Sequence, residues 1–149
     1  MGEIIRPTPV PYRDVDLSWM VGHVISEVSF HEPVRWYFTF GAPAGIGVDC
    51  LWRLVEGDRV VLTREDHLQQ FGLPAPVDAA VKAYQILGKR RVTAVHLREA
   101  TTDIVVEFTD GVRLEIIATS SGYENWQLCD PSGTSYFAQG GGQICKHVP

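Results

Sequence analysis

The sequence is poor in the features that mark secreted and membrane-spanning proteins. Its 149 residues include only three cysteines, Cys50, Cys129 and Cys145, and an odd number at irregular spacing favours reduced thiols over a disulfide framework. No apolar run approaches the roughly 20 residues of a membrane span, and the N-terminus lacks the basic and apolar regions of a secretory signal. We therefore predict a cytoplasmic protein with no membrane association.

Positive charge is also scarce. The chain has 18 acidic and 13 basic side chains, which gives a formal net charge of -5. Its one basic run, Lys89-Arg90-Arg91, follows a predicted helix, where cations complement the helix dipole. A nucleic-acid partner is not expected, because proteins that bind the phosphate backbone usually carry a basic patch.

Recognisable catalytic and cofactor motifs are missing as well. The segment Ser120-Ser121-Gly122-Tyr123 lacks the Gly-x-Ser-x-Gly elbow of a nucleophilic serine. The run Gly140-Gly141-Gly142 precedes no Lys-Ser/Thr pair, so we interpret it as a flexible connection or bulge and not as a phosphate loop. Cys145-Lys146-His147 offers a single pair of metal ligands where structural zinc needs two. We predict neither a metal nor a cofactor.

The sequence does contain an internal repeat. Four apolar positions recur at a constant spacing of 68 residues: Val24, Phe40, Ile46 and Val48 correspond to Val92, Phe108, Leu114 and Ile116. Further on, Trp52-Arg53-Leu54 resembles Trp126-Gln127-Leu128 at a spacing of 74. The second copy therefore carries six extra residues, which fall within Thr119–Asn125. Shared period-2 patterning could produce part of this match.

Each copy has the pattern of a β-meander. Strands are predicted at 24–30, 34–40, 45–56 and 59–62, and again at 91–98, 103–109, 112–118, 125–129 and 135–139. Asp110-Gly111 is typical of a type I′ hairpin turn. Period 2 places His96 on the same face as Val92 and Ala94, which we expect to be the inner face.

A helical connection is predicted between the copies. A capping box at Thr63 begins a short helix to Phe71, and a second helix covers 77–87. Its apolar face is expected to contain Val77, Ala80, Val81, Tyr84 and Leu87. The first twenty residues are interpreted as an extended arm in which Leu17, Trp19 and Met20 dock on the body.

These elements predict one α+β domain over 1–149 that is mostly antiparallel β. It comprises the arm at 1–20, a first β repeat at 24–62, a helical connection at 63–88 and a second β repeat at 91–145. Two related β-meanders would form one sandwich or partly open barrel, with one main helix between them. Two curved sheets about a pseudo-two-fold axis are the competing arrangement. Homodimerisation is one way of covering its strand edges.

Four side chains are candidates for acid–base chemistry: Asp66, His67, His96 and Glu124. A carboxylate beside an imidazole can raise the pKa of that imidazole, as acid–base catalysis requires. Adjacent helical residues point about 100° apart, however, so Asp66 could serve the cap alone and His67 the surface. For His96 the competing interpretation is a hydrogen-bonded core histidine.

The six extra residues form the candidate binding site, because function is often placed on loops that depart from a regular scaffold. Its residues are Ser120, Ser121, Tyr123, Glu124 and Trp126. Tyr123 and Trp126 would anchor a partner through large side chains with polar tips. The competing interpretation is a β-bulge whose tyrosine packs on the sheet.

The string Ser120-Ser121-Gly122-Tyr123-Glu124-Asn125-Trp126, with Asp66-His67, Phe71-Gly72-Leu73-Pro74 and Val77-Asp78-Ala79-Ala80, resembles an uncharacterised family of small actinobacterial proteins. The resemblance covers about 20–142 and implies no activity. Small β-rich domains with such a string also resemble toxin-neutralising immunity proteins.

Two hypotheses for function follow. The first is a non-catalytic, immunity-like binding protein that holds a protein partner through the aromatic and acidic loop; an acidic surface suits a basic partner such as a nuclease. The alternative is a small β-barrel enzyme or carrier that acts on an apolar metabolite with the histidine and carboxylate groups above.

Overall fold

The computed structural model describes residues 8–149, which form two antiparallel β-sheets. The strands are β1 (Thr8–Val10), β2 (Glu27–His31), β3 (Arg35–Thr39), β4 (Gly45–Val48), β5 (Leu51–Glu56), β6 (Arg59–Thr63), β7 (Val92–Leu97), β8 (Ile104–Phe108), β9 (Val112–Ile117), β10 (Trp126–Cys129), β11 (Ser135–Ala138) and β12 (Ile144–His147). The same range also contains the α-helix α1 (Ala79–Leu87) and five 3-10 turns.

Each sheet contains strands from both halves of the chain. The seven-stranded sheet has the order β1-β12-β11-β10-β4-β3-β2, and the five-stranded sheet has the order β6-β5-β9-β8-β7. The chain therefore leaves the first sheet after β4 and returns to it after β9. The described residues form no closed barrel, and the two sheets are consistent with the predicted sandwich.

Cross-strand pairs recur at the spacings found in the sequence. Trp36 of β3 pairs with Val48 of β4, and Ile104 of β8 pairs with Ile116 of β9. Each residue of the second pair lies 68 positions after its counterpart in the first pair. Between the halves, Trp126 of β10 pairs with Val48 of β4, as Trp52 of β5 pairs with Ile116 of β9.

The core lies between the inward faces of the two sheets. Trp36 of β3 and Trp52 of β5 belong to different sheets, and their ring centroids are 5.1 Å apart. Phe38 also meets Trp52, at 5.3 Å. These three side chains are buried in one continuous apolar cluster, so large rings fill the centre of the sandwich.

The two open sides of the sandwich are covered by other segments. On one side α1 packs against the edge strands β2 and β6. On the other, β1 pairs with β12, and the turn Ser18–Met20 packs against β7. Leu17 and Met20 are buried and Trp19 packs on the core, as expected for the arm; its residues 1–7 lie outside the described residues.

The helical connection differs from its prediction. The capping box forms, since the Thr63 hydroxyl accepts from Glu65 N–H and Asp66 accepts from Thr63 N–H. The expected helix to Phe71 is wrong, because the backbone turns to positive φ at Leu68, which allows one 3-10 turn at Arg64–Asp66.

The second helix begins two residues late, at Ala79, with Asp78 as its N-cap. Its buried face consists of Ala79, Ala83 and Leu87. The prediction that Val81 and Tyr84 face inward is wrong, because small alanines let the helix approach the sheets closely and leave both larger side chains exposed.

The strand predicted at 45–56 is two strands. The chain changes sheets at Asp49-Cys50, so β4 pairs with β3 while β5 pairs with β9. Continuous apolar patterning hides this change, because residues on both sides of it are buried.

Candidate functional site

The candidate site lies where the chain changes sheets. Residues 49–50 join β4 to β5, and 118–125 join β9 to β10. The Asp49 N–H donates to the Asn125 carbonyl at 2.9 Å, so the two connections are bonded to each other. The six extra residues therefore lie at one end of the sandwich, where both halves of the chain meet.

A single buried amide fixes the shape of the 118–125 loop. The Asn125 side chain is only 2% exposed. Its Oδ1 accepts from the N–H groups of Thr119 and Ser120 at 3.0 and 2.9 Å, and its Nδ2 donates to the Ser120 carbonyl at 3.1 Å. The Ser120 hydroxyl in turn accepts from Tyr123 N–H at 2.9 Å. Local bonds therefore define the loop conformation.

The glycine run Gly140-Gly141-Gly142 lies close against the backbone of this loop and of the 98–103 connection. A Cβ atom added to Gly140 would collide with the backbone nitrogen of Gly122, and one added to Gly142 would collide with the Ala100 carbonyl oxygen. The run is therefore a place of close backbone approach.

The predicted binding residues fall into two groups. Tyr123 is 82% exposed, and Ser121 is also exposed, while Ser120 is half-buried by its bonds within the loop. Trp126 is completely buried, and its Nε1 donates to the Thr102 carbonyl at 2.8 Å. The prediction that Trp126 contacts a partner is therefore wrong; it anchors the base of the loop to the neighbouring 98–103 connection.

An ion cluster lies beside Tyr123. The Arg35 guanidinium donates to both carboxylate oxygens of Asp49, at 2.8 and 2.6 Å. Its Nη2 lies 3.6 Å from Oε1 of Glu124. One guanidinium thus faces two carboxylates from two connections, and the cluster is negative overall.

Burial raises the pKa of Glu124 above its ordinary value. The positive charge of Arg35 opposes this shift, and the negative charge of Asp49 adds to it. Raised carboxyl pKa values are common at functional sites, and structural ion pairs produce them as well.

The pair Asp66-His67 serves the backbone. Asp66 accepts from Thr63 N–H at 2.8 Å, and His67 Nδ1 accepts from Ala79 N–H at 3.1 Å. The imidazole also packs against Phe30 and Trp36, with ring centroids 4.9 Å from each. Both side chains therefore hold the segment that leads into α1.

His96 is exposed, and the prediction that it faces inward is wrong. A register shift between Val92 and Ala94 reverses the alternation along β7. The ring lies on the outer face of the five-stranded sheet, with Nε2 3.2 Å from Glu107. It borders an open groove of about 400 Å³ that Arg53 and Glu115 also line.

The four acid–base candidates are not brought together. Asp66 and His67 contact backbone groups, His96 contacts Glu107, and Glu124 contacts Arg35. Within residues 8–149 no hydrogen bond or ion pair joins any two of them.

Two further properties concern metals and membranes. In the described part of the chain, no three His, Cys, Asp or Glu side chains gather as possible metal ligands. Across the same residues no helix has the length and apolar character of a membrane span.

Sequence reasoning missed two features of the site. Arg35 and Asp49 are 14 positions apart, and only the register of β3 against β4 brings them together. Phe71 was assigned to the end of a helix, yet it is fully exposed at the tip of the 68–76 segment. An aromatic residue among Gly72, Pro74 and Pro76 was the available signal.

Comparison with protein-family models, curated proteins and solved structures found no match. The resemblance to an uncharacterised actinobacterial family therefore stays a prediction.

Proposed function

We propose that this chain is a non-catalytic binding protein that holds a protein partner at the 118–125 loop. The observation that carries the proposal is an exposed aromatic on a fixed support. Tyr123 points into solvent from a loop that Asn125 and Gly140 hold in one shape. A preorganised aromatic loses little conformational freedom on binding, which is the property of an interface anchor.

We also infer that the chain is a duplicated β unit whose halves exchange strands about a pseudo-two-fold axis. The constant displacement of cross-strand pairs supports this, as does the bridge between Val24 and Arg91 at the start of the two copies. The copies differ most where one has Asp49-Cys50 and the other has residues 118–125. A difference on an otherwise repeated framework marks the place of function.

The charge of the site suits a basic partner. Asp49 and Glu124 share the guanidinium of Arg35, so this three-residue cluster carries a net negative charge. An immunity-like protein that covers a cationic nuclease would use this combination of aromatic anchor and carboxylates.

The alternative of an enzyme or carrier for an apolar metabolite has less support. Rings occupy the centre of the sandwich, and the groove beside His96 is open to solvent. The acid–base candidates it requires are dispersed over separate elements.

The test is photo-crosslinking from the loop. Benzoylphenylalanine is introduced in place of Tyr123 in the full chain, and in place of Tyr84, an exposed aromatic on α1, as the matched control. Each protein is irradiated in lysate of the source organism, and cross-linked proteins are identified by mass spectrometry. We expect a defined adduct from position 123 that position 84 does not give.

The partner so identified is then purified and titrated against three forms of the chain. Tyr123→Ala should weaken binding at least about tenfold, whereas Tyr84→Ala should bind like wild type. No adduct at position 123, or equal affinity of Tyr123→Ala and wild type, would contradict the proposal. A metabolite that raises the melting temperature of both wild type and Tyr123→Ala would favour the alternative.

A further inference from the structure

The 68–76 segment is attached to the same corner as the 118–125 loop. Arg64, at the start of the helical connection, donates through Nη1 to the carbonyls of Asp49 and Cys50, at 2.8 and 2.9 Å. Asp49 is the residue whose N–H bonds to Asn125. Both loops therefore rise from one end of the sandwich, here called the loop end: the connections 32–34, 49–50, 64–78, 98–103, 118–125 and 139–143.

The base of the 68–76 segment is held firmly. Leu68 N–H donates to the Val77 carbonyl at 2.8 Å, and Val77 N–H donates to the Gln69 carbonyl at 2.9 Å. His67 packs against the rings of Phe30 and Trp36, and its Nδ1 accepts a hydrogen bond from the N–H of Ala79. Ring closure also fixes φ at Pro74 and Pro76. The segment consequently presents its tip with little freedom left to lose.

The segment carries no charge and presents three large apolar side chains. All nine residues from 68 to 76 are exposed, and none carries a charge. Phe71 is fully exposed, and Leu68 and Leu73 of the same segment are also exposed. Isolated apolar side chains on a surface are ordinary, but three on one segment at the same end of the sandwich as another exposed aromatic, Tyr123, are typical of an interface.

Charge at the loop end defines the chemistry of what it binds. Within residues 8–149 its six connections carry eight carboxylates against two guanidiniums, those of Arg64 and Arg98, and Arg35 at the start of β3 adds a third guanidinium, which pairs with Asp49 and Glu124. The carboxylates are Glu32, Asp49, Glu65, Asp66, Asp78, Glu99, Asp103 and Glu124. Arg64 is also turned inward to the two carbonyls. The hairpins and connections at the opposite end (40–44, 57–58, 88–91, 109–111 and 130–134) are balanced, with three acidic and three basic residues.

We propose that the 68–76 segment is a second anchor, whose Phe71 enters an apolar pocket on a protein partner with a rim of lysine and arginine side chains. This inference rests on the proposed function, because Tyr123 and Phe71 would contact the same partner from two loops. A basic rim complements the carboxylates of the loop end, whereas anionic lipid and nucleic acid would be repelled by them.

The experiment measures the affinity of single variants for the partner that is cross-linked through position 123. Phe71→Ala should weaken the affinity for this partner at least about tenfold. Raising the salt concentration should weaken the binding of the wild type as well, because salt screens the attraction between the carboxylates and the basic rim. Tyr84→Ala is the matched control. Phe71 is fully exposed, so its replacement should leave the unfolding midpoint unchanged, and a normal midpoint separates loss of contact from loss of fold.

Cross-linking from position 71 identifies the occupant directly. An adduct with a basic segment of that same partner supports the inference. Binding to vesicles of phosphatidylcholine and phosphatidylglycerol that Phe71→Ala abolishes, or wild-type dimerisation in sedimentation that Phe71→Ala abolishes, would overturn it in favour of a membrane or a second copy.

The two proposals can fail separately. If Tyr123→Ala weakens binding and Phe71→Ala does not, the inference about Phe71 fails and the proposed function stands. If Phe71→Ala alone weakens binding, the proposed role of Tyr123 fails. If neither variant changes the affinity, both fail.

Discussion

Replacing Asn125 with alanine tests whether one side chain sets the shape of the binding loop. The substitution removes three hydrogen bonds, two accepted by Oδ1 and one donated by Nδ2. At a net value of about 1 kcal/mol each, their loss predicts a destabilisation of roughly 3 kcal/mol. For a chain of this size that corresponds to a fall in Tm of about 6–12 °C.

Two other variants sharpen this measurement. Gln127→Ala is the matched control, because Gln127 is an amide two residues along and half-exposed on β10; it should cost less than about 0.5 kcal/mol. Asn125→Asp keeps Oδ1 but places a second oxygen opposite the Ser120 carbonyl. We expect it to be destabilised like the alanine variant, since two acceptors cannot bond to each other.

The assay is urea denaturation together with hydrogen exchange of the 118–125 amides. Asn125→Ala should lower the unfolding midpoint and lose protection at Thr119 and Ser120. If its free energy of unfolding matches that of Gln127→Ala, or if those two amides stay protected, the loop does not depend on this side chain.

Three further predictions concern other parts of the molecule. Gly140→Ala should cost at least about 1–3 kcal/mol in urea denaturation because its Cβ would collide with the Gly122 backbone, whereas Gly122→Ala, whose Cβ meets nothing within 4 Å, should cost much less; equal losses would refute the close approach. Glu124→Gln should stabilise the fold at pH 7 but not below pH 4. Because the pKa of Glu124 is raised in the native state, the native protein holds the carboxyl proton more tightly than the unfolded chain does, and the free energy of unfolding of the wild type falls as pH rises from 4 to 7. A difference in free energy of unfolding between variant and wild type that stays constant across pH would contradict this. Burial raises the pKa of Cys50 to about 12, so native protein at pH 8 should be alkylated by iodoacetamide at the partly exposed Cys129 well before Cys50, and faster labelling of Cys50 by mass spectrometry would be evidence against its burial.

Local patterns in the sequence predicted the strands and turns well. Asp110 and Gly111 do form a tight turn between β8 and β9, and both adopt positive φ, at 65° and 74°, although the turn spans the three residues Thr109–Gly111 and not the two of a type I′ hairpin. The spacing of 68 also separates two cross-strand pairs of the structure, Trp36 with Val48 and Ile104 with Ile116, because the register of a strand is tied to its alternation of buried and exposed residues. Such signals are local, so a single sequence contains them.

The errors arose where tertiary structure decides the outcome. The 45–56 pattern gives no sign that the chain changes sheets, since both parts are buried. On α1, Ala79 and Ala83 face inward although Val81 is more apolar, because the spacing of the sheets selects small residues there. At His96 a one-residue register shift turned the side chain outward.

The sequence predicted an exposed tyrosine on the six extra residues but not how their loop is built. Tyr123 is exposed on that loop, and its role in binding stays a prediction. The ion pair of Arg35 with Asp49 joins residues on separate elements, and the buried amide of Asn125 acts through the backbone of its own loop. Neither contact depends on a spacing that a motif could record.

The exchange of strands between the sheets has a consequence for folding. A break within 68–76 would yield two fragments that each contribute strands to both sheets, since β4 needs β10 beside it and β5 needs β9. Neither fragment could bury its core alone, so each should be unfolded in isolation, and mixing them should restore the native fold by complementation. The intact chain must likewise close loops of roughly 60–80 residues before its central strands pair, which predicts slow folding for its size.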